Sequence, residues 1–100
     1  MKQISASELR EKINNKETML IDFFATWCGP CKVLSEELNK IETNVEIYKV
    51  DVEEDIDLST LMNIRSVPAL KFIKEGNVVS TTIGLKSSKE INNLIVENLI

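Results

Sequence analysis

The run Leu20-Ile21-Asp22-Phe23-Phe24-Ala25-Thr26-Trp27-Cys28-Gly29-Pro30-Cys31 decides the fold. Its first half is almost unbroken apolar sequence, which is how a strand covered on both faces reads. Its second half is a turn that carries two cysteines. Beyond it Cys31, Leu34, Leu38 and Ile41 recur at helical spacing, with Lys32, Glu36, Glu37 and Lys40 turned away. A central strand thus runs through a cysteine-bearing turn into an amphipathic helix. Asp22 is out of place in that strand, because a buried, unpaired carboxylate is costly or is forced to hold a proton.

The flanking sequence supplies the other elements. Ser5-Ala6-Ser7-Glu8 fits a capping box that opens a first helix of about two turns. Val45 to Val52 reads as a strand. Asp55 to Asn63 suits a short helix with Asp55 or Asp57 as its N-cap. Pro68 to Lys74 and Asn77 to Ile83 are two strands joined through Glu75-Gly76, a hairpin connection. Ser87-Ser88-Lys89-Glu90 is a second capping box, and the helix it opens turns Ile91, Leu94, Ile95 and Leu99 inward. The order β-α-β-α-β-α-β-β-α implies an α/β fold with a central mixed sheet. The early strands are expected to be parallel, the last pair antiparallel, and helices to cover both faces.

One hundred residues fit one domain, 1–100, and 43% apolar with 28% charged residues is ordinary for a globular protein. Twelve basic against sixteen acidic residues give a net charge of −4. That balance argues against nucleic acid or an anionic membrane as a partner, since both call for a basic face. No stretch approaches a membrane span, and the N-terminal residues carry no apolar block of a signal peptide, so the expected location is the cytoplasm.

The only cysteines are Cys28 and Cys31, and there is no histidine. In C-x-x-C the two sulfurs can meet when the first lies at a helix N-terminus and the second one turn in. Free N–H groups and the positive end of the helix dipole then favour a thiolate at the first position, the attacking species in disulfide exchange. Cys28 is the expected nucleophile, ionised near neutrality and open to solvent, and Cys31 the resolving thiol. Pro30, without an N–H, suits the first helical turn. Three other readings compete. A closed zinc site would need ligands from a second copy. A structural disulfide would close a loop too short to restrict the unfolded chain much. The spacing of two buried thiols could also be chance.

Trp27-Cys28-Gly29-Pro30-Cys31-Lys32, set after the second strand, with Val67-Pro68 before the fourth and Gly84 after the fifth, resembles the thioredoxin family over essentially the whole chain. The resemblance implies the thioredoxin fold and a small protein-disulfide reductase that works through a redox-active Cys28–Cys31 disulfide. No bound cofactor or metal is implied. It implies a monomer that is re-reduced by a thioredoxin reductase and acts on disulfide-containing client proteins. Asp22 would lie beneath Cys31 and accept its proton. Lys49 matches a family lysine that would pair with Asp22, although a lysine snorkelling to the surface fits equally. Pro68 would follow a cis bond, leaving the Val67 backbone free for a client strand and keeping metal-binding side chains away from the thiols. Trp27, Gly29, Pro30, Val67 and Gly84 would make an apolar docking patch. Phe24 departs from the pattern, standing where tryptophan is usual. Two rivals to the reductase remain: a disulfide-forming oxidant or isomerase, and an interaction module or holdase whose cysteines are incidental.

Overall fold

A computed structural model describes residues 1–100. Its elements are β1 (Lys2–Gln3), α1 (Ala6–Asn14), β2 (Met19–Phe24), α2 (Gly29–Asn39), β3 (Glu46–Asp51), α3 (Ile56–Leu61), β4 (Ala69–Lys74), β5 (Asn77–Ile83) and α4 (Ser88–Leu99). One five-stranded sheet has the order β1-β3-β2-β4-β5. β3 pairs in parallel with both β1 and β2, whereas β4 runs antiparallel to β2 and to β5. The mixed sheet expected from the element order is therefore present. β3 ends beside Phe24 and β4 begins beside Phe23, so α3 and the loop after it cross at one end of the sheet without returning along it, and β4 runs antiparallel to β2.

Local chemistry sets the boundaries. Ser5 and Ser87 each cap a helix whose Glu8 or Glu90 reaches back to the cap, so both capping boxes form. Asp55 caps α3 by accepting from the Leu58 N–H at 2.9 Å. That helix is shorter than the sequence suggests. It ends at Leu61, and Asn63 takes a left-handed φ of 57°, a conformation asparagine tolerates and one that closes helices. The β4–β5 turn places both Glu75 and Gly76 at positive φ, 52° and 83°. Positive φ at both central residues matches the right-handed twist of a hairpin. Gly76 is held to glycine twice over, because a Cβ there would lie 2.8 Å from the Ile13 carbonyl oxygen.

The strands divide the core into two layers. Met19, Ile21 and Phe23 of β2 pack with Leu9, Val50, Leu58 and Ile73 beneath α1 and α3. Leu20 of β2 packs with Leu34, Leu38, Leu70, Phe72, Ile91 and Ile95 beneath α2 and α4. Both faces of β2 are covered, which is why its sequence shows no polar alternation. Period-2 geometry puts Asp22 on the second face, between Leu20 and Phe24 and on the side of α2. No helix is long and apolar enough to cross a membrane.

Candidate functional site

Cys28 is the N-cap of α2. Its backbone is extended, and its Sγ accepts the Cys31 N–H at 3.2 Å. One of the N–H groups that a helix start leaves without an intrahelical partner is thus aimed at this sulfur. Gly29 and Pro30 form the first turn, which contains no acidic residue to oppose a negative charge on Cys28. Cys31, one turn in, closes a disulfide with Cys28 across a Cα separation of 5.3 Å. The two thiols so close in sequence therefore have different surroundings. One faces the positive end of the helix, and the other lies inside the turn over the sheet.

The sequence led us to expect a sulfur open to solvent at residue 28, and here the structure differs. Cys28 is only 4% exposed and Cys31 3%. Both pack with Ala25 against Phe24, Val52 and Val67. That packing covers the sulfur, which the cap geometry turns toward the Cys31 N–H. The surface around it is partly apolar.

Trp27 supplies much of it. The indole is 71% exposed, and its Nε1 donates to Glu53 Oε1 at 3.0 Å. Glu53 was not anticipated from sequence. Its only signal is an acidic residue shortly after β3, and nothing local points to the tryptophan. A groove of about 320 Å³ runs from Trp27 past Ile56 and Ile64 to Val67. The Val67–Pro68 bond is cis. The Pro68 carbonyl accepts the Gly84 N–H at 2.9 Å, tying this turn to the end of β5, while neither the N–H nor the C=O of Val67 bonds to another backbone group. Gly84 has φ +88°, and a Cβ at Gly84 or Gly29 would meet nothing in the chain. Gly29 leaves open surface beside the disulfide, and Gly84 leaves it beside Pro68.

Asp22 lies on the other side of Cys31. Its side chain is fully buried, and neither carboxylate oxygen has a hydrogen-bond partner. Burial raises its pKa from 3.8 to about 7, and the Lys49 charge works against that rise. A cavity of about 320 Å³ joins Asp22 to Cys31, with Phe24, Lys32, Ser35 and Lys49 around it. Asp22 and Lys49 are direct cross-strand neighbours, yet no ion pair links them: the Lys49 ammonium sits 5.0 Å above the centre of the Phe24 ring. The site can therefore stabilise an anion at one sulfur and hold a proton acceptor near the other. No cluster of three or more metal-ligating side chains exists to complete a zinc site.

The family model described as Thioredoxin matches residues 1–97. Thioredoxin 1 of Plasmodium falciparum is 39% identical over 87 residues, 84% of each chain. Among solved structures, the Malassezia sympodialis thioredoxin superposes with a TM-score of 0.85 at 30% identity, covering 100% of this chain and 92% of that one. A mutant thioredoxin from Halobacterium salinarum gives a TM-score of 0.87 at 27% identity, over 99% of this chain and 92% of that one.

Proposed function

The chain belongs to the thioredoxin family, and from that premise we propose how its residues divide the work of disulfide reduction. The protein is a thioredoxin-type dithiol–disulfide oxidoreductase that reduces protein disulfides through Cys28 and Cys31. In the reduced form the Cys28 thiolate attacks one sulfur of a client disulfide. A Cys28–client bond forms, the client S–S bond breaks, and the departing client sulfur takes a proton. Asp22 then accepts the Cys31 proton, and the Cys31 thiolate attacks the Cys28 sulfur. The intrachain disulfide closes, and the client leaves with its second sulfur reduced. Two electrons have passed from the chain to the client.

The observation that carries this reading is the different setting of the two sulfurs. The helix-start N–H at 3.2 Å favours an anion on Cys28, and a charge-assisted bond of that kind is stronger than a neutral one. Asp22, raised to about 7 by burial, is matched to accept a proton near neutral pH. The unbonded Val67 backbone supports a docking role for the turn at Pro68, where an extended client segment would pair. Trp27, Gly29, Pro30 and Gly84 would flank that segment. Lys49 acts on Asp22 through the field of its charge. Membership of the family implies electrons from a thioredoxin reductase and disulfide-bearing clients in general. We place this chain in the cytoplasm as a monomer, in keeping with its acidic balance and its single pair of cysteines.

The direct test is insulin reduction with dithiothreitol. The wild-type chain accelerates turbidity, and Cys28→Ser does not; equal rates would remove the nucleophile. Cys31→Ser accumulates mixed disulfides with client proteins, and their absence would remove the resolving role. A holdase with incidental cysteines would keep its biological role in a double Cys→Ser variant.

A further inference from the structure

Asp22 of β2 and Lys49 of β3 stand directly opposite each other in register. Opposite charges on neighbouring strands attract, and Coulomb attraction alone favours a contact ion pair. It does not form. The Asp22 oxygens have no partner, and the Lys49 ammonium is 5.0 Å above the centre of the Phe24 ring. Phe24 lies two residues beyond Asp22 on the same face of β2, and all three side chains line the cavity that reaches Cys31.

We propose that Phe24 is a positioning residue of the site: its ring face holds the Lys49 ammonium and so limits how much of that charge reaches Asp22. The ring attracts a cation through its quadrupole. The Lys49 ammonium stays partly hydrated there, because both Lys49 and Phe24 are only half-buried. Contact with Asp22 would strip water from the ammonium in a fully buried place, and that cost opposes the Coulomb gain. The ring therefore offers the cation a site it can occupy with less loss of hydration.

The consequence falls on the proton acceptor. An opposite charge in contact draws a carboxyl back toward its ordinary range, where it is a poor base for a thiol. A lysine held over the ring opposes the effect of burial only at a distance. The other groups facing Asp22 do not change this balance. Lys32 of α2 lines the same cavity, Cys31 presents sulfur, and Leu70, opposite on β4, carries no charge. The inference rests on Asp22 accepting the Cys31 proton, but the placement of Lys49 can be tested without that role.

The experiment titrates the Asp22 side-chain carboxyl carbon by NMR in the oxidised full-length chain, with Asp22→Asn identifying the signal. In Phe24→Leu the lysine is released, and the proton affinity of Asp22 falls about two- to fivefold, the equivalent of the lost ring attraction. A smaller side chain could also let water reach Asp22, so the same substitution is repeated in Lys49→Met. There the effect of Phe24→Leu disappears. Phe24→Trp fills the site and strengthens the ring, leaving the affinity equal or higher. No change in Phe24→Leu, a fall that persists in Lys49→Met, or a fall in Phe24→Trp would each overturn the proposal. If these titrations hold while Asp22→Asn leaves client release unaltered, the positioning stands and the base assignment fails.

Discussion

Replacing Asp22 by asparagine should change stability in a way that depends on pH, with a sign that burial dictates. The Asp22 carboxyl is raised from 3.8 to about 7, first by loss of solvation and against the opposing Lys49 charge. Below pH 3.8 the group is protonated in both the folded and the unfolded chain and makes no pH-dependent difference. Between 3.8 and about 7 the folded chain keeps the proton and the unfolded chain releases it. The unfolded state then binds fewer protons, so stability falls as pH rises. Above about 7 both states are ionised, and the penalty is complete. The interval spans roughly three pH units, which at about 1.36 kcal/mol per unit amounts to about 4 kcal/mol. Asparagine cannot ionise and escapes it.

Urea unfolding of the oxidised wild type and Asp22→Asn, measured from about pH 4 to about pH 9, checks this. The difference between the two should be smallest at the acid end and should grow in favour of the variant, by about 4 kcal/mol, before levelling off above neutrality. Any fixed cost of burying an amide shifts the whole curve without altering its shape. A difference that stays flat across the range would refute the reasoning, because it would mean that Asp22 titrates alike in the folded and unfolded chains. The same variant should release clients more slowly at neutral pH, and its release rate should lack the rise that ionisation of Asp22 at about 7 gives the wild type. On the proposed role of Asp22, the wild type gives up stability at the position where a proton acceptor is needed.

Gly76→Ala should destabilise the chain by about 1–3 kcal/mol in the same assay, since the new Cβ meets the Ile13 carbonyl at a positive φ. Ser87→Ala removes the cap that accepts the Glu90 N–H at 3.2 Å and should cost about 1 kcal/mol, read from the urea midpoint. Lys71 is a buried cation whose ammonium meets only the Thr81 hydroxyl at 3.1 Å, so Lys71→Met should raise stability by about 1 kcal/mol. A loss of that size instead would show that the ammonium is better solvated than its burial implies.

Most of the fold was legible because its signals are local. The capping boxes at Ser5 and Ser87, the Glu75-Gly76 turn and the two-sided apolar run of β2 each act within a few residues. What escaped involves partners distant in sequence. The Glu53 bond to Trp27 and the Lys49 position over Phe24 depend on how β2, β3 and the loops after them are brought together. No period or cap encodes that. The cis bond at Pro68 came from family resemblance alone, since residue type does not choose the isomer. The low exposure of Cys28 escaped for a related reason: spacing places a thiol at a helix start, but packing against Val52 and Val67 decides how much of it shows.

That low exposure bears on how the site selects clients. Cys28 is only 4% exposed and packs against Val67, a residue that also lines the groove beside Trp27. Trp27 and Val67 border that groove, and the Val67 backbone beside it is unbonded. A client disulfide held in a folded, convex surface cannot offer an extended segment to that backbone. One carried on a strand edge or a loose loop can. If clients dock at Val67 as proposed, reactivity at Cys28 and that docking are one requirement. Weakening the pairing should slow the first attack even where the thiolate is unchanged, because orientation supplies part of the rate. Proline at position 67 removes the N–H that a client strand needs. The rate of mixed-disulfide formation should then fall while the ultraviolet absorbance of the Cys28 thiolate titrates as in the wild type. A matching change in that titration would instead place the effect on the sulfur itself.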